Sequence, residues 1–214
     1  MAVRATKTQE GISIPPIDIM RTELRIVGDS PLLVHAWDEK VKKDMLDKMI
    51  GKAKVKARDM KDPVREFINS LYWLEGKPEG FTEQDFEEAL ESGKAIWGFK
   101  SVAFKSAAVS GAYRAKVTKD KVSMYGAFHI DGEYVEIKGV PEMREDMVKV
   151  ANGAPDMRYR GVFNSWETIL PISYNAGVLT LEQVANLFNL GGFSCGVGEW
   201  RVEKGGSFGM FHVA

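Results

Sequence analysis

The sequence predicts an α+β protein with an antiparallel sheet, a mostly helical insertion and a C-terminal glycine-rich loop. The first observation is a segment, Phe104–Arg114, whose small residues form one face that permits close packing on a sheet. The second is a capping box at Thr180–Gln183, where the threonine hydroxyl and the glutamine amide satisfy the first free N–H groups of a helix. The third is the run Gly191–Gly209, where glycine permits positive φ angles and close approach of another backbone. That run follows the second helix, which is predicted to stop at Gly191.

Strands are predicted where apolar residues alternate or where the chain has extended character. These segments are Thr22–Val27, Leu32–His35, Tyr125–Ile130, Glu133–Lys138, Trp166–Tyr174 and Phe208–Val213. The dipeptide Asp131-Gly132 is typical of a type I′ turn and predicts a hairpin. Without the insertion, the order is strand, helix, two strands, a third strand, helix, glycine-rich loop and strand. This is the order of a ferredoxin-like or RRM-like core built from split βαβ units.

Length and composition favour one domain with an insertion. The chain has 214 residues, of which 44% are hydrophobic and 28% charged, enough apolar residues for an ordinary core. Residues 1–20 are predicted to be a flexible N-terminal arm, and residues 21–214 a single α+β domain. The helical insertion spans about residues 38–97, and residues 139–165 form a connector punctuated by glycine and proline. Within the insertion, Lys40–Lys61 is strongly basic and Glu75–Glu91 is acidic.

Several function classes are disfavoured by composition. The single cysteine, Cys195, excludes an internal disulfide and fits a reducing cytosol. No apolar run approaches the ~18 residues needed to cross a membrane, and the N-terminus lacks the apolar core of a signal peptide. The histidines His35, His129 and His212 are scattered, and no Walker or dinucleotide-binding motif is present. We therefore expect a cytoplasmic protein, in a bacterial host cytosol, without a metal, a cofactor or a membrane partner.

Three segments resemble the RAMP superfamily, the RRM-like proteins that build CRISPR effector backbones and process CRISPR RNA. Phe99–Arg114 is similar to the family's I-P-G-S-S-[LF]-K-G-A-L-R segment, although Lys100-Ser101 stands where the family has Pro-Gly. Gly191–Gly209 resembles the family's glycine-rich loop, and Ser30–Leu33 its opening strand. The resemblance covers about half of the chain and implies an RRM-like fold. It also implies non-catalytic binding of single-stranded nucleic acid, RNA before DNA, by a protein that assembles into a homo-oligomer, a filament or a multi-subunit complex in antiviral defence.

The candidate nucleic-acid-binding residues follow from that resemblance and from the charge pattern. Lys105 and Arg114 are predicted phosphate partners, and backbone N–H groups of the glycine-rich loop are expected to approach phosphates. The basic part of the insertion adds attraction that does not depend on sequence and weakens with salt. The full set is Lys42, Lys43, Lys52, Lys54, Lys56, Arg58, Lys100, Lys105, Ser106, Arg114, Gly196, Gly198, Trp200, Arg201 and Lys204.

Other interpretations of the same residues stay open. The basic run can pair with the acidic Glu75–Glu91 segment, which would cancel its field, and Trp200-Arg201 can be a packed corner. The glycines can serve turns that pack only on the protein's own backbone. Under these interpretations the chain is a phage-encoded structural or defence-inhibiting assembly component that acts through protein–protein contacts. A third, weaker hypothesis is a metal-independent endoribonuclease with His35 as general base. Some backbone subunits of the RAMP superfamily cleave RNA with an aspartate after the first strand; Asp38 is the nearest candidate here, but the local pattern does not match and the role is not transferred to it.

Overall fold

The computed structural model describes residues 16–37, 39–52, 60–149 and 155–214. The strands are β1 (Ile19–Gly28), β2 (Leu32–Val34), β3 (Trp73–Glu75), β4 (Ile96–Lys100), β5 (Phe128–Ile130), β6 (Tyr134–Ile137), β7 (Pro141–Lys149), β8 (Pro155–Phe163), β9 (Glu167–Asn175) and β10 (Phe211–Val213). The helices are α1 (Glu39–Met49), α2 (Pro63–Ser70), α3 (Glu83–Glu91), α4 (Ser101–Arg114), α5 (Lys121–Ala127) and α6 (Leu181–Ser194), with a short 3₁₀ turn at Val202–Lys204. The predicted α+β class is confirmed.

The largest sheet has four antiparallel strands in the order β10-β1-β9-β5. Helix α4 precedes β5 in the chain, and α6 connects β9 to β10. Leu24 and Ile26 of β1 alternate with exposed neighbours, and Leu170 of β9 lies opposite Leu24 in the register. These buried side chains form one core with the apolar residues of both helices, such as Phe104. The period-2 alternation therefore fixes which face of the sheet carries α4 and α6.

Glycine governs the contact between α4 and α6. A Cβ on Gly111 would lie 2.6 Å from the backbone nitrogen of Gly191, and a Cβ on Gly191 would lie 2.5 Å from the backbone nitrogen of Ala108. The two helices pack backbone to backbone at this point, which only residues without a side chain allow. The prediction that α6 stops at Gly191 is wrong, because the helix continues to Ser194 and uses this glycine for packing instead.

The predicted hairpin across Asp131-Gly132 is also wrong. Residues 121–127 form α5, β5 pairs with β9, and β6 pairs with β4. The turn is present, with Gly132 at a φ of 84°. The Ser101 hydroxyl donates to the Gly132 carbonyl oxygen at 2.5 Å. Phe128, fully buried in the core, lies on the large sheet, so the two strands leave the turn toward different sheets.

Two three-stranded sheets complete the fold, in the orders β3-β4-β6 and β2-β8-β7. Within 38–97, the described residues hold the three helices α1, α2 and α3, together with the short strand β3 and the start of β4. The predicted connector 139–165 is instead a long hairpin of β7 and β8, in register from Pro141–Phe163 to Lys149–Pro155. Its strands carry many charged residues, and this masked the alternation on which strand prediction depends.

Two further predictions concern the N-terminal arm and the absence of a membrane-spanning segment. Strand β1 begins at Ile19, inside the predicted arm, and residues 1–15 lie outside the described residues. No helix in the described part of the chain is both long and apolar enough to cross a bilayer.

Candidate nucleic-acid interface

The glycine-rich segment 195–210 is folded on the protein's own backbone. A Cβ on Gly198 would lie 2.5 Å from the Leu33 carbonyl oxygen, and a Cβ on Gly209 would lie 1.8 Å from the Val197 carbonyl oxygen. Both glycines have positive φ, 82° and 65°. The backbone that approaches them is therefore the chain's own, and the close approach alone explains why glycine occupies these positions.

The backbone N–H groups of this segment are largely committed to the fold. Those that donate to backbone carbonyls belong to Gly196, Val197, Glu199, Glu203, Lys204, Gly205, Gly206, Phe208 and Gly209. An N–H group that already donates within the fold cannot cradle a phosphate unless the loop rearranges. These N–H groups are therefore engaged within the fold, and the expected contact of the other backbone N–H groups of the segment with phosphate stays a prediction.

An arginine–tryptophan cluster lies where this segment meets the β7–β8 hairpin. We use that name for Arg144, Arg160, Trp200 and Phe208. The Arg144 guanidinium lies 5.8 Å from the Trp200 ring centroid and 5.0 Å from that of Phe208, and the Arg160 guanidinium lies 5.7 Å from Trp200. The two rings meet edge to face at 6.3 Å. Trp200 stays 40% exposed with a φ of 50°, an uncommon conformation for a bulky residue and one that often marks a functional position.

Carboxylates offset the arginines of this cluster. Arg144 Nε lies 2.9 Å from Asp146 Oδ1, and Arg160 Nη1 lies 4.0 Å from Glu199 Oε2. Arg160 is 1% exposed, and among the described residues its Nε and Nη1 have no hydrogen-bond partner. Burial lowers the pKa of Arg160, and the nearby Asp146 opposes that effect. The cluster is thus an aromatic surface with cations beside it, whose net charge is small.

A cavity of about 300 Å³, here called the loop cavity, lies between α4 and the glycine-rich segment. Its lining residues are Tyr72, Phe99, Val102, Ala103, Ser106, Ala107, Gly196, Val197, Gly198, Glu199, Arg201 and Glu203. The lining combines aromatic and aliphatic side chains with the charged side chains of Glu199, Arg201 and Glu203. Such a composition suits a small planar ligand with a polar edge.

The structure brings together only part of the predicted site. Four predicted residues line the loop cavity, namely Ser106, Gly196, Gly198 and Arg201. Trp200 lies between two lining residues, Glu199 and Arg201, in the sequence. Gly196 and Gly198 contribute through backbone shape. The prediction missed Glu199 and Glu203, the acidic members of the same cavity, although both stand next to predicted residues in the sequence.

Two arginines of the predicted site, Arg201 and Arg114, donate hydrogen bonds to other residues of the chain. Two nitrogens of Arg201 donate to Glu203 Oε2, at 3.2 and 3.0 Å, and the third donates to the Gly198 carbonyl oxygen. Arg114 donates to Glu203 Oε1 at 3.2 Å and to the Ser194 carbonyl oxygen. Lys100 and Lys204 are exposed.

Lys105 lies on another side of α4. Its Nζ is 3.1 Å from His129 Nδ1 and faces the rings of Tyr125 and Phe128, 5.9 and 5.7 Å from their centroids. Partial burial lowers its pKa. The residues of the predicted patch therefore do not form a single row along α4.

The basic run of the insertion is described only in part. Lys42, Lys43 and Lys52 are exposed at α1 and just after it, and Lys42 has an interaction partner. Lys54, Lys56 and Arg58 lie outside the described residues, as does Asp38.

A second cavity, of about 980 Å³, lies between β2, α1, α2 and β8. His35, Lys61 and Arg158 line it together with several carboxylates, among them Glu199, which also lines the loop cavity. Burial, and secondly the charge of Arg160, lowers the pKa of His35, so this imidazole is neutral at pH 7. Within the described residues, no group of three acidic, histidine or cysteine side chains is arranged to hold a metal ion.

Comparisons with family models and curated sequences find no relative, so the function is inferred from the geometry of the structure. No protein-family model matches the chain, and no curated sequence is significantly similar to it.

Two cluster residues that prediction missed, Arg144 and Arg160, lie on the hairpin. The sequence did contain a signal for it, the Asn152-Gly153 dipeptide typical of hairpin turns. A two-residue turn at that dipeptide would have placed Arg144 opposite Gly161, one position from Arg160, its cross-strand neighbour in the observed register.

Proposed function

We propose that this chain binds single-stranded nucleic acid, RNA in preference to DNA, without cleaving it. The arginine–tryptophan cluster and the adjoining loop cavity form the binding surface. The core is ferredoxin-like and related to the RAMP superfamily, and the protein acts in the cytosol of a bacterial host.

The strand order supports the proposed core. A ferredoxin-like βαββαβ unit has the strand order 4-1-3-2 with all neighbours antiparallel. The sheet β10-β1-β9-β5 has that order when the strands β2, β3 and β4, between β1 and α4, and β6, β7 and β8, between β5 and β9, are taken as insertions. The outward face of this sheet carries Arg21, Glu23, Arg25, Ile169 and Ser173 at alternating positions. None of these five is aromatic, and the exposed rings on the two edge strands are the imidazoles of His129, opposite Ser173, and His212, opposite Val27. Stacking on phenyl or phenol rings, as on an RRM sheet, is therefore disfavoured there.

One observation carries the proposal, the half-exposed Trp200 with two arginine side chains beside it. Proteins that bind single strands stack bases on aromatic rings and add cation–π contacts from arginine. A residue with positive φ that packs only for stability is usually glycine or asparagine, whereas Trp200 leaves 40% of its surface in solvent.

Stacking, rather than phosphate contact, is the main source of affinity in this proposal. Arg144 and Arg201 each have a carboxylate oxygen within 3.2 Å, so they have little charge left for phosphates. Stacking is tolerant of sequence because every base has a π face, and we expect moderate affinity for many single strands.

Fluorescence anisotropy with labelled 12-nucleotide RNA tests the proposal. We expect Trp200→Ala to weaken binding about tenfold, the loss of one stacked base. Phe193→Ala removes an aromatic ring that is 74% exposed at the end of α6 and is not a member of the cluster, and it is the matched control. Arg144→Gln is a second variant that keeps Trp200 in place and should weaken binding severalfold through the lost cation–π contact.

The outcomes are distinct. Equal weakening by Trp200→Ala and Phe193→Ala would show that no stacking site exists at the cluster. Absence of binding by the wild-type protein to both RNA and DNA at low salt would refute the proposed function. Tighter binding of the DNA version would reverse the proposed preference for RNA.

An assembly component is the second candidate, and α1 favours it. Leu46 and Met49 of this helix are 55% and 85% exposed, and Ile50 beside them is 51% exposed. Apolar side chains grouped on one exposed helix often contact another protein. Under this hypothesis an oligomer persists in high salt after nuclease treatment, and Leu46→Glu dissociates it, whereas Trp200→Ala does not.

Catalysis is not part of the proposal, and His35 gives a direct check. A neutral, half-buried imidazole beside a cavity has the protonation state of a general base. If the purified protein cleaves single-stranded RNA without metal and His35→Ala abolishes the cleavage, the non-catalytic assignment is wrong.

A further inference from the structure

The residues that line the loop cavity differ from those of a phosphate-binding site, and they indicate which chemical group the cavity binds. Tyr72, Phe99, Val102 and Val197 are apolar or aromatic residues of its lining. A lining of this kind contacts the face of a planar ring, and a volume of about 300 Å³ is at the small end for ligand pockets. A single nucleobase that leaves the stack of a strand is such a ring.

Two charged groups of the lining are already satisfied. Glu203 accepts from Arg114 through Oε1 and from Arg201 through Oε2. The remaining guanidinium nitrogen of Arg201 donates a hydrogen bond to the Gly198 carbonyl oxygen. These hydrogen bonds hold Arg201 and Glu203 in place and occupy their polar atoms. The ligand must therefore be recognised by another side chain.

Glu199 is that group. Its backbone N–H donates to the Leu33 carbonyl oxygen, which fixes the residue at the cavity mouth directly after Gly198. Its side chain is 48% exposed, and its Oε2 lies 4.0 Å from Arg160 Nη1, longer than a hydrogen bond. Its charge also acts on His35 and Tyr72. Both carboxylate oxygens are therefore available as acceptors at the edge of an apolar slot.

We propose that the loop cavity takes one guanine base and that Glu199 recognises it. A carboxylate repels phosphate and needs donors, and it has two acceptor oxygens side by side. Guanine offers two adjacent donors, N1–H and the 2-amino group, on its Watson–Crick edge. Adenine and cytosine offer one amino donor beside an acceptor nitrogen, and uracil offers one N–H between two carbonyl oxygens. Only guanine presents a donor to each oxygen.

This inference rests on the proposed function, because the base must arrive as part of a bound strand. Trp200, the next residue in the chain, would stack a neighbouring base while the cavity holds the guanine. The prediction is a base preference at one position within binding that otherwise tolerates any sequence.

Three labelled 12-nucleotide RNAs test it: all uridine, uridine with one central guanosine, and uridine with one central inosine. We expect the wild-type protein to bind the guanosine strand about tenfold more tightly than the uridine strand, the discrimination of a bidentate contact. Inosine keeps N1–H and lacks the 2-amino group, so most of the preference should disappear. Glu199→Gln should bring the ratio of the two dissociation constants to about one, because an amide replaces one acceptor with a donor.

The ratio is the readout because removing a negative charge also changes attraction to phosphates. Glu23→Gln, an exposed residue on the outward face of the large sheet, is the matched control and should keep the preference. Thermal unfolding checks that Glu199→Gln is folded, and Glu199→Asp, which keeps the charge on a shorter side chain, is a second test that should reduce the ratio.

Each result has one interpretation. If the wild-type protein binds all three strands equally, the guanine site is wrong and the proposed function stands. If Glu199→Gln keeps the full preference, recognition by Glu199 is wrong. If no strand binds, both the guanine site and the proposed function are wrong.

Discussion

Arg160 and Asp146 place a pair of opposite charges inside the protein, 1% and 5% exposed. Arg160 Nε lies 3.9 Å from Asp146 Oδ2, and neither atom has a hydrogen-bond partner among the described residues. An incompletely satisfied buried pair contributes little net stability, but loss of one partner leaves the other charge uncompensated. Its position beneath Trp200 is consistent with a role in holding the cluster in place.

Removal of Asp146 is therefore predicted to be costly. Asp146→Ala should lower the free energy of unfolding by about 3 kcal/mol, since Arg160 loses its buried counter-ion. Glu142→Ala, which removes an exposed carboxylate from the same strand, should change it by less than about 0.5 kcal/mol. Urea denaturation of both variants measures the difference. Similar values for the two would show that Arg160 does not depend on Asp146.

His35 predicts a dependence of stability on pH. Its pKa is lowered in the folded state from 6.5, by burial first and by Arg160 second. Below pH 6.5 the unfolded chain therefore binds a proton at this residue that the folded chain does not, and acidification favours unfolding. The stabilising contribution is present above pH 6.5 and is lost as the pH falls toward the folded-state pKa.

The thermal midpoint should accordingly fall less in His35→Gln than in the wild-type protein when the pH is lowered from about 7.5 to about 5.5, both near the titration range of histidine. His129→Gln, which removes an exposed imidazole from β5, is the matched control. An unchanged pH dependence in His35→Gln would contradict the placement of His35 in a site that disfavours its charged form.

At the scale of elements, the α4–α6 contact depends on two glycines. Gly111→Ala puts a methyl group 2.6 Å from the Gly191 backbone nitrogen, closer than any real contact. The helices must move apart, and the free energy of unfolding should fall by about 2–3 kcal/mol. Gly126→Ala in α5 meets no atom within 4 Å and should be neutral or slightly stabilising. Chemical denaturation compares the two, and equal effects would exclude tight helix packing at Gly111.

The elements also show what the sequence could and could not predict. Local signals were sufficient for α4, for the Thr180 cap of α6 and for β9, because small-residue faces, caps and alternation act within a few residues. These local signals could not predict how the strands on either side of Asp131-Gly132 pair. A turn is a local property, but the choice between pairing the two flanking strands with each other or with β9 and β4 depends on distant packing of Phe128.

The candidate site was predictable in the same uneven way. The glycine-rich segment and Trp200 were evident from the sequence. Their neighbours Arg144 and Arg160 are 56 and 40 residues away from Trp200 in the chain, and only tertiary contact brings them together. The carboxylates that offset the arginines were equally hidden, so the site appeared more basic in the sequence than it is in the fold.

At the scale of the whole molecule, the net charge of −1 and the paired arginines predict binding with a weak salt dependence. If the strand contacts two or three free cations, the slope of log K against log salt concentration is about −2 or shallower, from roughly −0.7 per phosphate contact of a single strand. Anisotropy titrations over a range of potassium chloride concentrations measure it. A slope near −5, well beyond the same estimate, would instead place most of the affinity in phosphate contacts and direct attention to the basic run 40–58.

The most direct test of the central claim is photocrosslinking of the wild-type protein to single-stranded RNA that contains 4-thiouridine, followed by digestion and mass spectrometry. We expect adducts on residues 199–208 or on the β7–β8 hairpin, and their loss in Trp200→Ala. Adducts confined to the outward face of the large sheet, or to any segment away from the arginine–tryptophan cluster, would contradict it.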